Sequence, residues 1–144
     1  MILFETKRLR VRQYASTDAG LFFSLNGDDE IMRYIRPAKS RADSDHFFRE
    51  VLQAYREYPL FGRWAVDERE TGRFVGSFAI IPVIGMKEMQ LGYSLLKQDW
   101  GRGFATELTE GGIDYFFRVT DSERIYGITE APNIASQRVL LKAG

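Results

Sequence analysis

The chain has 144 residues, of which 44% are hydrophobic and 28% charged, as expected for one folded domain. Twenty basic residues balance twenty acidic ones, which excludes the basic surface that non-specific nucleic-acid or membrane-surface binding requires. The absence of cysteine excludes disulfides, thiolate metal sites and thiol nucleophiles. No apolar run approaches the roughly 20 residues of a membrane span, and the first residues lack a signal peptide's apolar core, so we expect a cytoplasmic protein.

The first part of the chain predicts one strand followed by helices. Residues 2–14 alternate in part between apolar and basic side chains, which is typical of an edge strand. Segment 16–18 offers an N-cap to a first helix, and Asp28 opens a second, short one. Ser40 is the N-cap of a predicted helix over about 41–57.

The remaining pattern predicts an antiparallel meander of three strands, a long helix, a short strand and a last helix. These elements cover residues 64–66, 74–83, 88–96, 104–116, 125–129 and 133–144. Without the short helical stretch that Asp28 opens, the order is β-α-α-β-β-β-α-β-α, which contains no repeat and no linker. It indicates a single α/β (α+β) domain over 1–144 with a mixed sheet.

Three smaller features have structural interpretations. His46 stands alone on a charged helix, which favours a surface histidine over a catalytic one. Gly111 and Gly112 weaken their helix by about 1 kcal/mol each relative to alanine, which predicts close packing against the sheet. Phe116 and Phe117 are predicted core residues, and the sequence leaves the direction of Tyr126 open.

The chemically informative segment is the junction between strand 88–96 and the helix that follows it. Gly101 and Gly103 let the backbone approach an anion closely, and the unpaired N–H groups of the first helical turn would face it. Arg102 would add positive charge. Thr106 stands where a dinucleotide fingerprint has its third glycine, and the Gly-Lys-Ser/Thr of a P-loop is absent.

This segment also carries a specific resemblance. Leu91-Gly92-Tyr93 followed by Trp100-Gly101-Arg102-Gly103-Phe104-Ala105-Thr106-Glu107 resembles the coenzyme A-binding motif of GNAT acetyltransferases of the RimJ/RimL type. The opening Thr6–Arg12 and the late segment Arg124–Gly144 resemble the same branch. The resemblance implies a GNAT fold whose mostly antiparallel sheet splays apart between strands 88–96 and 125–129, with acetyl-CoA as co-substrate and no metal.

The resemblance also implies roles for individual residues. The pantetheine arm would pair with backbone at Leu95 and Leu96, and backbone N–H groups near Tyr93 would stabilise the oxyanion. Asn133 would reach the pantetheine amides. The pyrophosphate would lie over the helix start, formed by Gly101, Arg102, Gly103, Phe104, Ala105 and Thr106.

Proton transfer is the point at which the chain departs from this branch. Many of its members have Glu two residues before Gly92, whereas this chain has Gln90. Glu88 or a water chain could take the amine proton, with a solvated strand carboxylate as the alternative reading of Glu88. Ser136 lies where related enzymes have a proposed proton donor, although a helix-capping role fits it equally.

The expected function is direct transfer of an acetyl group from acetyl-CoA to a primary amine, either a protein N-terminus or a small molecule. The alternatives are a non-catalytic module that binds acyl-CoA and a protein that binds another phosphate-containing ligand. Acceptor specificity is expected from residues of about 16–58 and from whatever follows Gly144. Because members of the branch continue beyond Gly144 with further strands, the sequence also predicts a shortened chain, a longer natural protein, or a homodimer or partner that covers the edge at 125–129.

Overall fold

A single six-stranded sheet organises the computed structural model, which describes residues 1–83, 88–122 and 124–127. The strands lie side by side in chain order: β1 Ile2–Glu5, β2 Leu9–Arg12, β3 Gly62–Glu68, β4 Phe74–Pro82, β5 Met89–Leu95 and β6 Tyr126–Gly127. Strands β1 to β5 are antiparallel, and β6 is parallel to β5. The predicted mixed, mostly antiparallel sheet is confirmed.

The predicted first strand is wrong in one respect, because residues 2–14 form a hairpin of two strands. Thr6 makes the turn between them: its N–H donates to Leu9 O at 2.9 Å, and its hydroxyl accepts from Leu9 N at 3.1 Å. The same hydroxyl donates to Glu107, far along the chain. The turn therefore depends on a distant partner that alternation within 2–14 does not reveal.

Four α-helices complete the described fold: α1 Ala19–Asn26, α2 Asp29–Met32, α3 Arg41–Glu57 and α4 Phe104–Val119. The predicted caps of α2 and α3 are confirmed, since Asp28 accepts from two backbone N–H groups of α2 and Ser40 accepts from Asp43 N. Within the described residues, no helix is long and apolar enough to cross a membrane.

The sheet separates two clusters of buried side chains. Helix α4 packs on one face, where Trp64 and Phe78 contact each other and Leu108 is fully buried. Helices α1 to α3 cover the other face, where Tyr14, Phe22 and Phe48 pack together. The two faces therefore carry different chemistry, which the alternating direction of strand side chains makes possible.

Helix α4 lies close to the sheet at its paired glycines, as predicted. A Cβ on Gly112 would stand 2.2 Å from the Phe78 ring, and one on Gly111 would stand 2.6 Å from Thr6 Cγ2. Phe116 is buried, but Phe117 is 42% exposed, so its prediction as a core residue is wrong. Neighbouring helical residues are about 100° apart around the axis, so Phe117 turns away from the sheet when Phe116 packs against it.

Candidate active site

The glycine turn before α4 has the geometry of an anion cradle. Gly101 and Gly103 have φ of +79° and +80°, in the left-handed region that favours glycine. No side chain caps α4, and no acceptor in the described part of the chain takes the backbone N–H groups of residues 102–106. These donors at the positive end of a 16-residue helix suit a phosphate group.

Trp100 attaches this turn to strand β5. Its indole N–H donates to Leu95 O at 2.9 Å, although 47% of the side chain remains exposed. A short 3-10 turn over Lys97–Asp99 fills the intervening chain. Trp100 is a residue of the predicted motif, and its hydrogen bond connects the segment beside the glycines to the end of β5.

The outer edge of β5 lies beside the cradle. Leu96 N donates to Val75 O and Val83 N donates to Glu88 O, both at 2.9 Å, so even-numbered residues of β5 direct their peptide groups toward β4. The peptide groups of Tyr93 and Leu95 consequently face the opposite edge. Strand β6 pairs there with Gln90 and Leu91.

Arg102 is already paired with two carboxylates. Its guanidinium lies 2.8 Å from Glu68 Oε2 and 3.1 Å from Asp99 Oδ1. Asp99 is 1% exposed and also binds Arg73, at 2.5 Å. Hydrogen bonding to Glu68 is the chief reason that the pKa of Arg102 is raised. The positive charge at the cradle is thus largely neutralised, and the backbone donors carry its attraction for anions.

Arg8 is a cradle residue that the sequence did not single out. Its guanidinium carbon lies 4.6 Å from the centroid of the Phe104 ring, and its Nη1 donates to Arg102 O at 2.9 Å. A Cβ on Gly103 would meet Arg8 Nη2 at 3.4 Å. Arg8 precedes β2, about 95 positions from the cradle, so only the folded sheet brings the two together.

Glu107 holds Arg8 in this position. Its carboxylate accepts from the Thr6 hydroxyl, from Arg8 N at 2.9 Å and from Arg8 Nε at 2.7 Å. Burial by itself would raise the pKa of Glu107, but these hydrogen bonds outweigh it and keep the pKa below its ordinary value. The last residue of the predicted motif therefore joins α4 to the first hairpin.

The residues proposed for proton transfer lie apart from one another or outside the described chain. Glu88 precedes β5 and stands roughly 13 Å along the strand from Gly92, at about 3.3 Å per residue. Gln90 donates from Nε2 to Pro82 O at 3.4 Å. Ser136 and Asn133 lie outside the described residues, as does most of the predicted strand 125–129. His46 is exposed, and its Nε2 lies 3.2 Å from Oε1 of Glu50 on the next turn of α3.

Comparison with known proteins places this arrangement in context. A family model described as an acetyltransferase (GNAT) domain matches residues 8–144. The Bacillus subtilis protein described as uncharacterized N-acetyltransferase YoaA is 28% identical over 145 residues, which cover 99% of this chain and 81% of that protein. A GNAT-family acetyltransferase structure from Bacillus anthracis is similar with a TM-score of 0.86 at 21% identity, covering 100% and 82% of the two chains. RimL, a ribosomal L7/L12 α-N-protein acetyltransferase in complex with coenzyme A, gives a TM-score of 0.81 at 14% identity, covering 99% and 82%.

Proposed function

We propose that this chain, which belongs to the GNAT family of acetyl-CoA-dependent N-acetyltransferases, transfers the acetyl group of acetyl-CoA directly to a primary amine in a ternary complex. We assign it to the RimJ/RimL-like branch, whose motif Trp100–Glu107 it carries. A protein N-terminal α-amine or a small-molecule amine is the acceptor.

One observation supports the proposal above the others: two left-handed glycines present unused N–H groups at the start of α4, directly after the edge of β5. A Cβ at Gly101 would meet nothing within 4 Å, so the space beside the turn can admit a phosphate. The residues present therefore fit the diphosphate of acetyl-CoA. Residues 101–106 are the proposed diphosphate contacts.

The edge of β5 suits the pantetheine arm, which carries amide groups that can pair with a strand. The N–H of Leu95 faces that edge, whereas the carbonyl of Leu95 is used by Trp100 and the N–H of Leu96 by Val75. We therefore propose that Leu95 contributes its N–H, and that the carbonyl of Leu96, which already accepts from Asp99 N at 2.9 Å, accepts a second hydrogen bond from the arm. Asn133 remains the proposed partner of the pantetheine amides.

The proposed reaction is a single displacement on the thioester. The neutral amine attacks the carbonyl carbon, a C–N bond forms, the C–S bond breaks, and the thiolate leaves with a proton taken from a donor. The backbone N–H of Tyr93 is the proposed stabiliser of the oxyanion. The nitrogen loses one proton to a base, so charge and atoms balance without an enzyme-bound intermediate.

A protein N-terminal α-amine requires a weaker general base than a lysine side chain does. With a pKa near 7.7–8.0, it is about one-tenth neutral at pH 7, whereas the neutral fraction of lysine, with a pKa near 10.4, is roughly 300-fold smaller. Gln90 cannot accept a proton, and Glu88 lies at the far end of β5. A water-mediated or weak base therefore suffices for an N-terminal acceptor.

The cradle is tested by Gly103→Val. A β-branched residue at a φ of +80° blocks close approach of an anion, so acetyl-CoA affinity is expected to fall by at least tenfold in calorimetry. Gly72→Val is the matched control, because Gly72 has a φ of +72° and open space around its Cβ. Equal acetyl-CoA affinity in the two folded variants would remove residues 101–106 from the site.

Proton transfer is tested by Ser136→Ala and Glu88→Gln. If Ser136 is the donor, kcat falls by about 10²- to 10⁴-fold while acetyl-CoA affinity stays the same. If Glu88 is the base, Glu88→Gln flattens the acidic limb of the pH–rate profile. Full kcat in Ser136→Ala, with chemistry rate-limiting, would reduce the hydroxyl to a helix cap.

The second candidate is an acyl-CoA-binding module without catalysis, which the absence of a carboxylate at Gln90 favours. Thiol release from acetyl-CoA with a panel of peptides, polyamines and amino sugars separates the two functions. Turnover with any amine supports the transferase. Tight acetyl-CoA binding without release above the amine-free rate would favour the binding module.

A further inference from the structure

Three cations surround one aromatic ring on the sheet face that α4 does not cover. The guanidinium carbons of Arg63 and Arg36 lie 5.1 Å and 5.4 Å from the centroid of the Phe47 ring, and Lys39 Nζ lies 5.3 Å from it. All four side chains are partly buried. We refer to Arg36, Lys39 and Arg63 as the cation cluster.

The cation cluster lacks a negative partner among the described residues. None of its members forms an ion pair there, whereas Arg12, on the same side of the sheet, binds both Asp18 and Asp67. Arg36 donates to the neutral amide of Asn26 at 2.9 Å, and Arg63 donates no hydrogen bond to a described residue. A partly buried guanidinium without a counter-ion destabilises a fold, which is a reason to look for an external anion.

Mutual repulsion adds to this cost. Burial, and secondarily the charge of Arg36, lower the pKa of Arg63 to about 10, so it stays protonated at neutral pH. The Phe47 ring offsets part of the repulsion through cation–π attraction, but it supplies no acceptor oxygen. The cluster is therefore positively charged and has hydrogen-bond donors to offer.

The register of the sheet places this cluster beside the proposed acceptor space. Arg63 is opposite Ala79 on β4, and Ala79 is opposite Gly92 on β5. The side-chain positions of all three residues therefore lie on the same face of the sheet. Two strand spacings separate Arg63 from Gly92, or roughly 10 Å. No member of the cluster contacts residues 101–106, where the diphosphate of acetyl-CoA is proposed to bind.

We propose that the cation cluster binds an anionic group, a carboxylate or phosphate, of the acceptor whose amine is acetylated near Gly92. This inference rests on the proposed function and narrows its substrate class. Polyamines carry the wrong charge for this surface, while amines that bear an acidic group match it. An arginine fork suits both oxyanions because it can donate two parallel hydrogen bonds.

The test compares acceptors of different charge. The amidated peptide Ser-Asp-Asp-Ala is measured against Ser-Asn-Asn-Ala and Ser-Lys-Lys-Ala, and phosphoethanolamine against ethanolamine, each by kcat/KM. At least one anionic member is expected to exceed its neutral counterpart by about 10- to 100-fold. A preference for the acidic peptide identifies a carboxylate as the bound group. A preference for phosphoethanolamine identifies a phosphate.

Arg63→Met removes the charge and keeps a long apolar side chain on Phe47. It is expected to reduce the preference for the anionic acceptor, expressed as the ratio of the two kcat/KM values, by at least tenfold while leaving acetyl-CoA affinity unchanged. Arg56→Met, an exposed arginine on α3 outside the cluster, is the matched control. Lys39→Met repeats the test if Arg63→Met does not fold.

Binding of the N-acetylated forms of the peptides to the coenzyme A-saturated protein separates this inference from the proposed function. Calorimetric binding of the acidic form that is lost in Arg63→Met supports the cluster even if no acceptor is acetylated. Equal kcat/KM within the peptide pair and within the ethanolamine pair, together with equal binding of the acidic and amide products by the wild type, would overturn the inference. Equal preferences in Arg63→Met and Arg56→Met would overturn it as well.

Discussion

At the scale of single residues, arginines of this chain serve opposite purposes. Arg12 and Arg102 are each paired with two carboxylates and hold elements together. Arg63 has no carboxylate partner in the described part of the chain and rests on an aromatic ring. The paired arginines stabilise the fold. The unpaired charge of Arg63 destabilises it, and a bound anion would remove that destabilisation.

Arg63→Met is accordingly expected to stabilise the free protein. Replacing an uncompensated, partly buried charge with an apolar side chain should add on the order of 1 kcal/mol, which raises Tm by roughly 3 °C for a domain of this size. Differential scanning calorimetry measures the change, and Arg56→Met should leave Tm within about 1 °C. A lower Tm for Arg63→Met would mean that a stabilising partner of Arg63 exists.

At the scale of elements, the contact between α4 and β4 determines how close the helix lies to the sheet. Gly112→Ala should destabilise the protein by about 1–3 kcal/mol, because the new Cβ would stand 2.2 Å from the Phe78 ring. Helix propensity alone gives the opposite sign. Gly20→Ala in α1, where nothing lies within 4 Å, is the control and should be neutral or stabilising.

Urea denaturation of Gly112→Ala and of the double variant with Phe78→Leu measures this contact. The smaller side chain should restore part of the lost stability, since the two residues interact directly. Strictly additive effects would show that the helix adjusts and that the glycine is not needed for close packing.

Elements defined by local pattern could be predicted from the sequence, and those created by distant partners could not. The helix over about 41–57, the close approach at Gly112 and the glycine turn follow from periodicity, capping residues and backbone preference. The division of residues 2–14 depends on Glu107, and the pairing of Arg102 depends on Glu68. Such contacts require the register of the sheet, which local sequence does not contain.

The candidate site divides in the same way. Its backbone part, at Gly101 and Gly103, could be predicted because a left-handed turn before a helix has a clear sequence pattern. Its side-chain part could not, because Arg8 reaches the cradle across the sheet and the cation cluster joins β3, α3 and the segment between α2 and α3. The roles of Glu88, Tyr93 and Ser136 stay predictions.

At the scale of the whole molecule, Glu107 makes stability depend on pH by linking the first hairpin to α4. Its pKa is below the ordinary value of 4.5 in the folded state, so its contribution is complete above 4.5 and is lost as the pH falls through the lower, folded-state pKa. We expect the free energy of unfolding to decrease over that acidic window. Glu107→Gln should be less stable at pH 7 and show a shallower loss below 4.5.

Denaturation midpoints between pH 7 and pH 3 test this expectation, with Glu110→Gln as the control. Glu110 lies on the same helix, is exposed and forms no ion pair with a described residue. Its replacement should leave the acid dependence of the wild type intact. The same slope in Glu107→Gln and Glu110→Gln would assign the acid sensitivity to other carboxylates.

The cation cluster also has a consequence at long range. The chain carries no net charge at pH 7, so three positive groups concentrated around Phe47 require the other charged residues to sum to −3. Because no carboxylate in the described part of the chain pairs with these three groups, they give the proposed acceptor face a locally positive potential. An approaching anion would be turned toward that face before contact, and added salt, which shortens the reach of the field, should slow its association.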